Sequence, residues 1–253
     1  MRKVNLMSEL VKCTNLCKSY GKKEVIKNLN LTIGRGKIIG LLGPNGSGKT
    51  TLMKLFNGLL QPSSGEIMIN GQEPGIESKK IISYLPDKMY FADWMKVKDL
   101  MDFFEDFYMD FQRTKAEEMC ARLGISMNDK IKKLSKGNKE KVQLILVMSR
   151  KAELYLLDEP IAGVDPAARD YILDTILTNY NEEGTILIST HLISDIEKIL
   201  DEVIMIRDGQ IYIHQSVDDL REESGMSVDG AFRDLFKGDV YSQVSAGGEQ
   251  DVR

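Results

Sequence analysis

Gly43-Pro44-Asn45-Gly46-Ser47-Gly48-Lys49-Thr50 matches the phosphate-loop pattern GxxxxGK[ST] at every fixed position. The residues before it, Lys37-Ile38-Ile39-Gly40-Leu41-Leu42, read as a buried strand. Those after it, Thr51-Leu52-Met53-Lys54-Leu55-Phe56, read as a helix. A strand, a Gly-rich turn and a helix N-terminus together make an anion site. The glycines allow backbone N–H groups to turn inward, and the helix dipole adds partial positive charge. Lys49 is placed to reach β- and γ-phosphates, and the Thr50 hydroxyl to ligate Mg²⁺. Thr51, next on the helix, completes the expected nucleotide-contacting run.

A phosphate loop alone indicates only a nucleotide. Leu154-Tyr155-Leu156-Leu157-Asp158-Glu159-Pro160 supplies the rest. Its apolar residues make a buried strand, which delivers Asp158 to the C-terminal edge, where open α/β sheets bind ligands. Asp158 can hold Mg²⁺, and Glu159 can polarise an attacking water.

Other segments set the frame. Residues 9–19 and 24–33 read as strands, as do Glu66 to Gly71 and Ile81 to Leu85. After Pro86 the texture turns helical, with Val97, Leu100, Met101, Phe104, Phe107 and Tyr108 forming a stripe expected in a core. A further helix is expected from about Asn138 to Met148. Strands return at Leu154, Thr185 and Glu202. Alternating strands and helices imply a parallel, covered sheet, with residues 87–150 inserted into it. Expected boundaries are an ATP-binding core over 1–86 and 151–220, a helical subdomain over 87–150 and a tail over 221–253, polar and frayed from Ser242.

Composition bounds the function. A chain of 253 residues with 42 % hydrophobic and 28 % charged residues is an ordinary globular protein. A net charge of −4 points away from nucleic acid. The basic start (Arg2, Lys3, Lys12) and acidic late stretch (Asp218, Asp219, Glu222, Glu223) read as solvated surface. Cys13, Cys17 and Cys120 form no zinc pattern and are expected as reduced thiols. No signal peptide is read at Met1-Arg2-Lys3. The longest apolar run, Leu144 to Met148, is far short of the ~20 residues a membrane span needs.

Over about residues 8–215 the chain resembles the ATP-binding subunit of an ABC transporter. Further motifs stand in that family's order. The resemblance makes Tyr20, in Lys18-Ser19-Tyr20-Gly21, the aromatic that stacks on adenine. It places Leu134-Ser135-Lys136-Gly137-Asn138 at the signature LSGGQ, with Ser135 and Gly137 contacting the partner protomer's γ-phosphate. Ala162-Gly163-Val164-Asp165 matches the loop after the metal strand, and His191, in Ser189-Thr190-His191, matches the histidine that senses γ-phosphate. Two departures stand out. Lys136 and Asn138 replace the signature's Gly and Gln, and Asp87 stands where the family has a metal-reaching Gln.

The resemblance implies an α/β P-loop NTPase (RecA-like) core with an N-terminal antiparallel β portion and an inserted helical subdomain. It also implies ATP and Mg²⁺ as ligands, and two subunits sandwiching two ATP molecules in a homodimer or heterodimer. Separate transmembrane permease subunits would be the partners, with the chain cytoplasmic and peripheral at the inner face of the membrane. The expected docking surface begins at Asp87 and includes Tyr90, Phe91 and Trp94. A soluble cassette ATPase for complex assembly and a non-hydrolysing partner subunit are the alternatives.

Overall fold

The computed structural model describes residues 9–162 and 164–246. Gly163, from the loop after the metal strand, lies outside the described residues, as do Arg2, Lys3 and residues 247–253. In chain order the elements begin with β1 (Glu9–Tyr20), β2 (Lys23–Gly34), β3 (Ile38–Leu42), α1 (Lys49–Phe56) and β4 (Ser64–Ile69). Then come α2 (Ile76–Ile81), β5 (Ile82–Leu85), α3 (Val97–Phe107), α4 (Arg113–Arg122), α5 (Lys136–Met148) and β6 (Leu154–Asp158). The last are α6 (Pro166–Asn179), β7 (Thr185–Thr190), α7 (Ile193–Ile196), β8 (Glu202–Arg207), β9 (Gln210–Ser216), α8 (Val217–Ser224) and α9 (Val228–Ala246).

Two sheets organise these elements. β1 pairs antiparallel with β2 and β4, giving the order β2-β1-β4. The larger sheet has the order β5-β6-β7-β3-β8-β9 and is parallel except for β9, which returns antiparallel along β8. Every residue of β3, β6 and β7 is buried, so both faces of the central strands are covered. That is why these segments are continuous apolar runs rather than alternating ones. At the edge, β9 alternates half-buried and exposed positions instead.

One face of the large sheet packs against α5, α6 and α9 through residues such as Leu144, Val147, Ile172, Ile176 and Val228. The other face packs against α1 and the small sheet through Leu52, Phe56, Ile26, Leu31 and Ile67. A third cluster, with Val97, Leu100, Phe104, Cys120, Val142 and Ile145, joins α3, α4 and α5. Burial pushes the Cys13 thiol up to about 12, and with Glu117 nearby that of Cys120 to about 11, so neither is reactive at neutral pH.

Several expectations are corrected. The helical stretch after Val97 is two helices, because the chain breaks at Tyr108 and restarts at Arg113. The aromatic stripe is only partly core: Phe104 is buried, but Phe107 stands exposed. The signature helix starts at Lys136 rather than Asn138, capped by the Ser135 hydroxyl, which accepts from the Asn138 N–H at 3.2 Å. The polar segment from Ser242 is helical as far as Ala246, and α9 buries Val228, Ala231 and Phe236 against the core.

Sheet register positions the site. Leu42 pairs with Thr190, Asp158 with Ser189, and Leu85 with Leu157. The phosphate loop after β3, the carboxylates closing β6, His191 after β7 and Asp87 after β5 therefore share one C-terminal sheet edge.

Candidate functional site

The phosphate loop leaves β3 at Gly43, where a Cβ would lie 2.3 Å from the Ile206 carbonyl oxygen. No larger residue fits without moving β8. The Ser47 N–H donates to the Pro44 carbonyl at 3.2 Å, and the Ser47 carbonyl accepts from the Gly209 N–H at 3.1 Å. Gly46 and Gly48 take positive φ values of 81° and 112°, which turn the loop into α1.

Lys49 opens α1 and is almost fully buried. Its ammonium donates to the Gly43 carbonyl at 2.7 Å and to Pro44 at 3.3 Å, and lies 3.9 Å from a Glu159 oxygen. Burial lowers its pKa, while Glu159 and Asp158 pull it back up. The lysine is thus folded across the space where phosphates would sit.

Asp158 is 1 % exposed. One of its oxygens accepts from the Ser189 hydroxyl at 2.6 Å and from the Thr50 hydroxyl at 3.1 Å. Its other oxygen, Oδ2, is buried with no hydrogen-bond partner. Burial raises the carboxyl's pKa, Ser189 and Thr50 oppose that, and the Asp87 and Glu159 charges add to it.

Glu159 carries a positive φ of 52°, uncommon outside glycine. Two bonds hold it there: its N–H donates to the Ser189 carbonyl at 3.1 Å and to the Ser189 hydroxyl at 3.0 Å. The turn aims its carboxylate at His191, whose Nδ1 lies 3.0 Å from Oε2.

A cavity of about 330 Å³ lies over the loop, lined among others by Asn45, Gly46, Lys49, Thr50, Asp87 and Glu159. A second, of about 230 Å³, joins Asp87, Asp158 and Glu159 to Lys136 and Glu140 on α5. Asp87 and Glu159 line both.

The structure therefore brings Gly46, Gly48, Lys49, Thr50, Thr51, Asp87, Asp158, Glu159 and His191 to one place. It does not bring Tyr20 into the cavity wall. Tyr20 ends β1, 49 % exposed, with the Lys18 ammonium 5.4 Å from its ring centre. Lys23 and Val25 of the next strand line the wall instead, and the sequence reading missed both. Ser135 and Gly137 stand exposed at the start of α5, outside the phosphate-loop cavity. Past the metal strand, Arg169 fastens the 164–165 loop. Its Nε donates to the Val164 carbonyl at 3.0 Å, and its guanidinium pairs with Asp195 at 2.8 Å.

The residue most clearly missed is Ser189, whose hydroxyl donates to the Asp158 carboxylate and accepts from the Glu159 N–H. Its signal was a hydroxyl directly after the apolar run Ile186-Leu187-Ile188.

The donor set fits Mg²⁺: the Thr50 hydroxyl, the Asp158 carboxylate with one oxygen unsatisfied, and Asp87 on the same cavity are hard oxygens. Among the described residues no group of three or more His, Cys, Asp or Glu side chains is arranged to hold a metal alone. Mg²⁺ is commonly held by one or two carboxylates together with substrate phosphates. Among the described residues no helix is long and apolar enough to cross a membrane.

Comparison with known proteins agrees with this geometry. The family model described as ABC transporter matches residues 26–162. The ABC transporter ATP-binding protein YtrB of Bacillus subtilis (strain 168) is 34 % identical over 219 residues, covering 85 % of this chain and 74 % of its own. The lantibiotic transport ATP-binding protein SrtF of Streptococcus pyogenes is 31 % identical over 217 residues, covering 83 % and 92 %. A solved structure of the ATP-binding subunit of an ABC transporter superposes with a TM-score of 0.78 at 25 % identity, covering 89 % of this chain and 99 % of that one.

Proposed function

The chain belongs to the ABC transporter family as an ATP-binding subunit, and from that premise we propose that it hydrolyses Mg-ATP as a nucleotide-sandwich dimer and drives separate membrane permease subunits. The observation that carries this reading is Glu159. A strained turn, the Ser189 bonds and His191 hold a carboxylate over the phosphate loop, 3.9 Å from Lys49. Strain of this kind persists where the surroundings over-determine it, and it clusters at functional sites.

The loop amides and the α1 N-terminus bind the phosphates, and Lys49 swings from its carbonyl partners to the β/γ oxygens. Thr50 and Asp158 would hold Mg²⁺, with Asp87 reaching it through the shared cavity. The ion supplies charge neutralisation between the phosphates. Glu159 accepts a proton from the attacking water, and His191 orients Glu159 and the γ-phosphate. Tyr20 serves adenine. Ser135 and Gly137, too exposed to serve their own site, complete the partner's. The core spans 1–86 and 151–220 with the helical part at 87–150.

The permease surface proposed here is a cavity of about 530 Å³ between β5 and α3, lined by Tyr84, Asp87, Tyr90, Phe104, Tyr108 and Arg150. Tyr90 is half exposed in its wall and Trp94 stands exposed on the connection before α3, whereas Phe91 packs on the α3–α5 core. A chain docked on permease subunits through this surface would sit at the inner face of the cell membrane. Export is the direction we favour, because a relative from Bacillus subtilis (strain 168), 31 % identical over 209 residues, is named SkfA peptide export ATP-binding protein.

The test is ATP-dependent dimerisation on a sizing column. Glu159→Gln, which retains ATP, runs as a dimer with ATP and as a monomer without it. Ser135→Arg binds ATP yet stays monomeric. Dimerisation of Ser135→Arg equal to wild type would contradict the sandwich.

A further inference from the structure

We infer that Lys136 pairs with Asp87 of its own chain as the nucleotide site closes, and so acts as the positioning residue for the Asp87 carboxylate. The inference rests on the nucleotide-sandwich reading above. It concerns the two places where this chain departs from its family, Lys136 in the signature and Asp87 after β5.

Both departures line one cavity, the space of about 230 Å³ between α5 and the C-terminal edge of the large sheet. On the α5 side Lys136, Lys139, Glu140 and Gln143 recur at helix spacing and share a face. Two bonds fix that face to the segment after β5. Gln143 Nε2 donates to the Pro86 carbonyl at 3.4 Å, and the Lys139 ammonium pairs with Asp93 at 3.1 Å. Asp87 directly follows the anchored Pro86.

The other charged groups of this cavity are already matched. Asp158 accepts from Ser189 and Thr50, Glu159 faces His191, and Lys139 holds Asp93. Asp87 makes no hydrogen bond or ion pair among the described residues. Lys136 is 80 % exposed, and its one ion pair among them is with Glu140 at 3.8 Å. Glu140 lies a turn further on and lines the same cavity, so this contact draws the ammonium back toward Asp87.

Each charge is unfavourable alone. Lys136 is the first residue of α5, at the positive end of the helix dipole, and the first turn holds no acidic residue to offset it. Asp87 sets a third carboxylate beside Asp158 and Glu159, where the family's Gln adds no charge. Closing the site expels water and strengthens both effects. Pairing removes both, because closure exchanges Glu140 for Asp87 as the partner of Lys136. A carboxylate held by an ammonium keeps one orientation, and the pair ties the signature helix to the nucleotide edge.

The first experiment follows dimerisation of the full chain on a sizing column, with ATP and EDTA, in the Glu159→Gln background. Omitting Mg²⁺ silences any role of Asp87 toward the metal. Asp87→Lys and Lys136→Asp each set like charges across the cavity, and each raises the ATP concentration for half-dimerisation about tenfold or more. The chain carrying both changes dimerises like its parent. An equimolar mixture of the two singly changed chains does not, because each chain keeps its own like-charge pair. Unchanged dimerisation by the single variants, no rescue in the doubly changed chain, or rescue by the mixture would overturn the inference. The second experiment measures Mg-ATP hydrolysis with Glu159 intact. Asp87→Gln and Lys136→Gly each lower kcat with little change in KM, and together they restore the family's neutral arrangement and recover kcat. Additive losses would overturn the pair. A parent chain that never dimerises, with kcat still recovered by the double change, sinks the sandwich and leaves the pair. A parent that dimerises, with no recovery in either experiment, sinks the pair alone.

Discussion

Ser189 shows how few atoms set the chemistry of this site. Its hydroxyl donates to Asp158 and accepts from the Glu159 N–H, so one side chain fixes the Asp158 carboxylate and the Glu159 backbone. The Asp158 charge is nevertheless unfavourable, since burial, Asp87 and Glu159 all raise its pKa. The sign follows from linkage. A carboxyl with a raised folded pKa favours folding below the ordinary value of about 3.9 and loses that contribution as pH rises through the raised value. Asp158→Asn should therefore raise the Tm of the nucleotide-free protein at pH 7.5 by a few degrees. The gain should shrink toward zero in acid, while Mg-dependent turnover is lost. Thermal melts across pH check it, and a Tm that falls at pH 7.5 contradicts it. The phosphate loop, Asp158 and Glu159 were legible because each is a fixed residue at a fixed distance from an apolar strand. Ser189, Lys23 and Val25 were not, because their roles come from which strands lie side by side, and a single segment does not carry that.

At the scale of elements, Arg150 joins the helical part to the sheet. It is 2 % exposed, bonds Asp110 at 3.0 Å and donates to the Ile82 and Lys80 carbonyls. Its guanidinium also lies 3.8 Å from the centre of the Tyr108 ring. Removing one partner of a buried ion pair costs about 3–5 kcal/mol, so Arg150→Ala should lower the urea midpoint markedly. Arg150→Lys should recover little, because one ammonium cannot reproduce the planar fork. A midpoint within error of wild type for Arg150→Ala would refute this role. The strands of both sheets other than β9 were readable as apolar or β-branched runs, whereas β9 was missed because its edge position leaves it alternating half-buried and exposed residues. The break between α3 and α4 was not readable, because the apolar spacing continues through Tyr108 and Phe111 while the backbone turns. The outward turn of Phe107 was hidden for a related reason: periodicity shows that a residue is apolar, not that a partner covers it within the chain.

The whole molecule joins two halves. One sheet edge gathers the nucleotide machinery, and the helices between β5 and β6 carry a signature end and an aromatic end. In the proposed function ATP would link copies through the first, and permease subunits would engage near the second. All of this depends on Glu159 acting on water rather than bracing a turn. Single-turnover hydrolysis of Mg-ATP by wild type and Glu159→Gln, with ATP affinity measured alongside, tests that most directly. The account predicts a fall of ~10²-fold or more in the hydrolysis rate with ATP still bound. Hydrolysis by Glu159→Gln near the wild-type rate would contradict it.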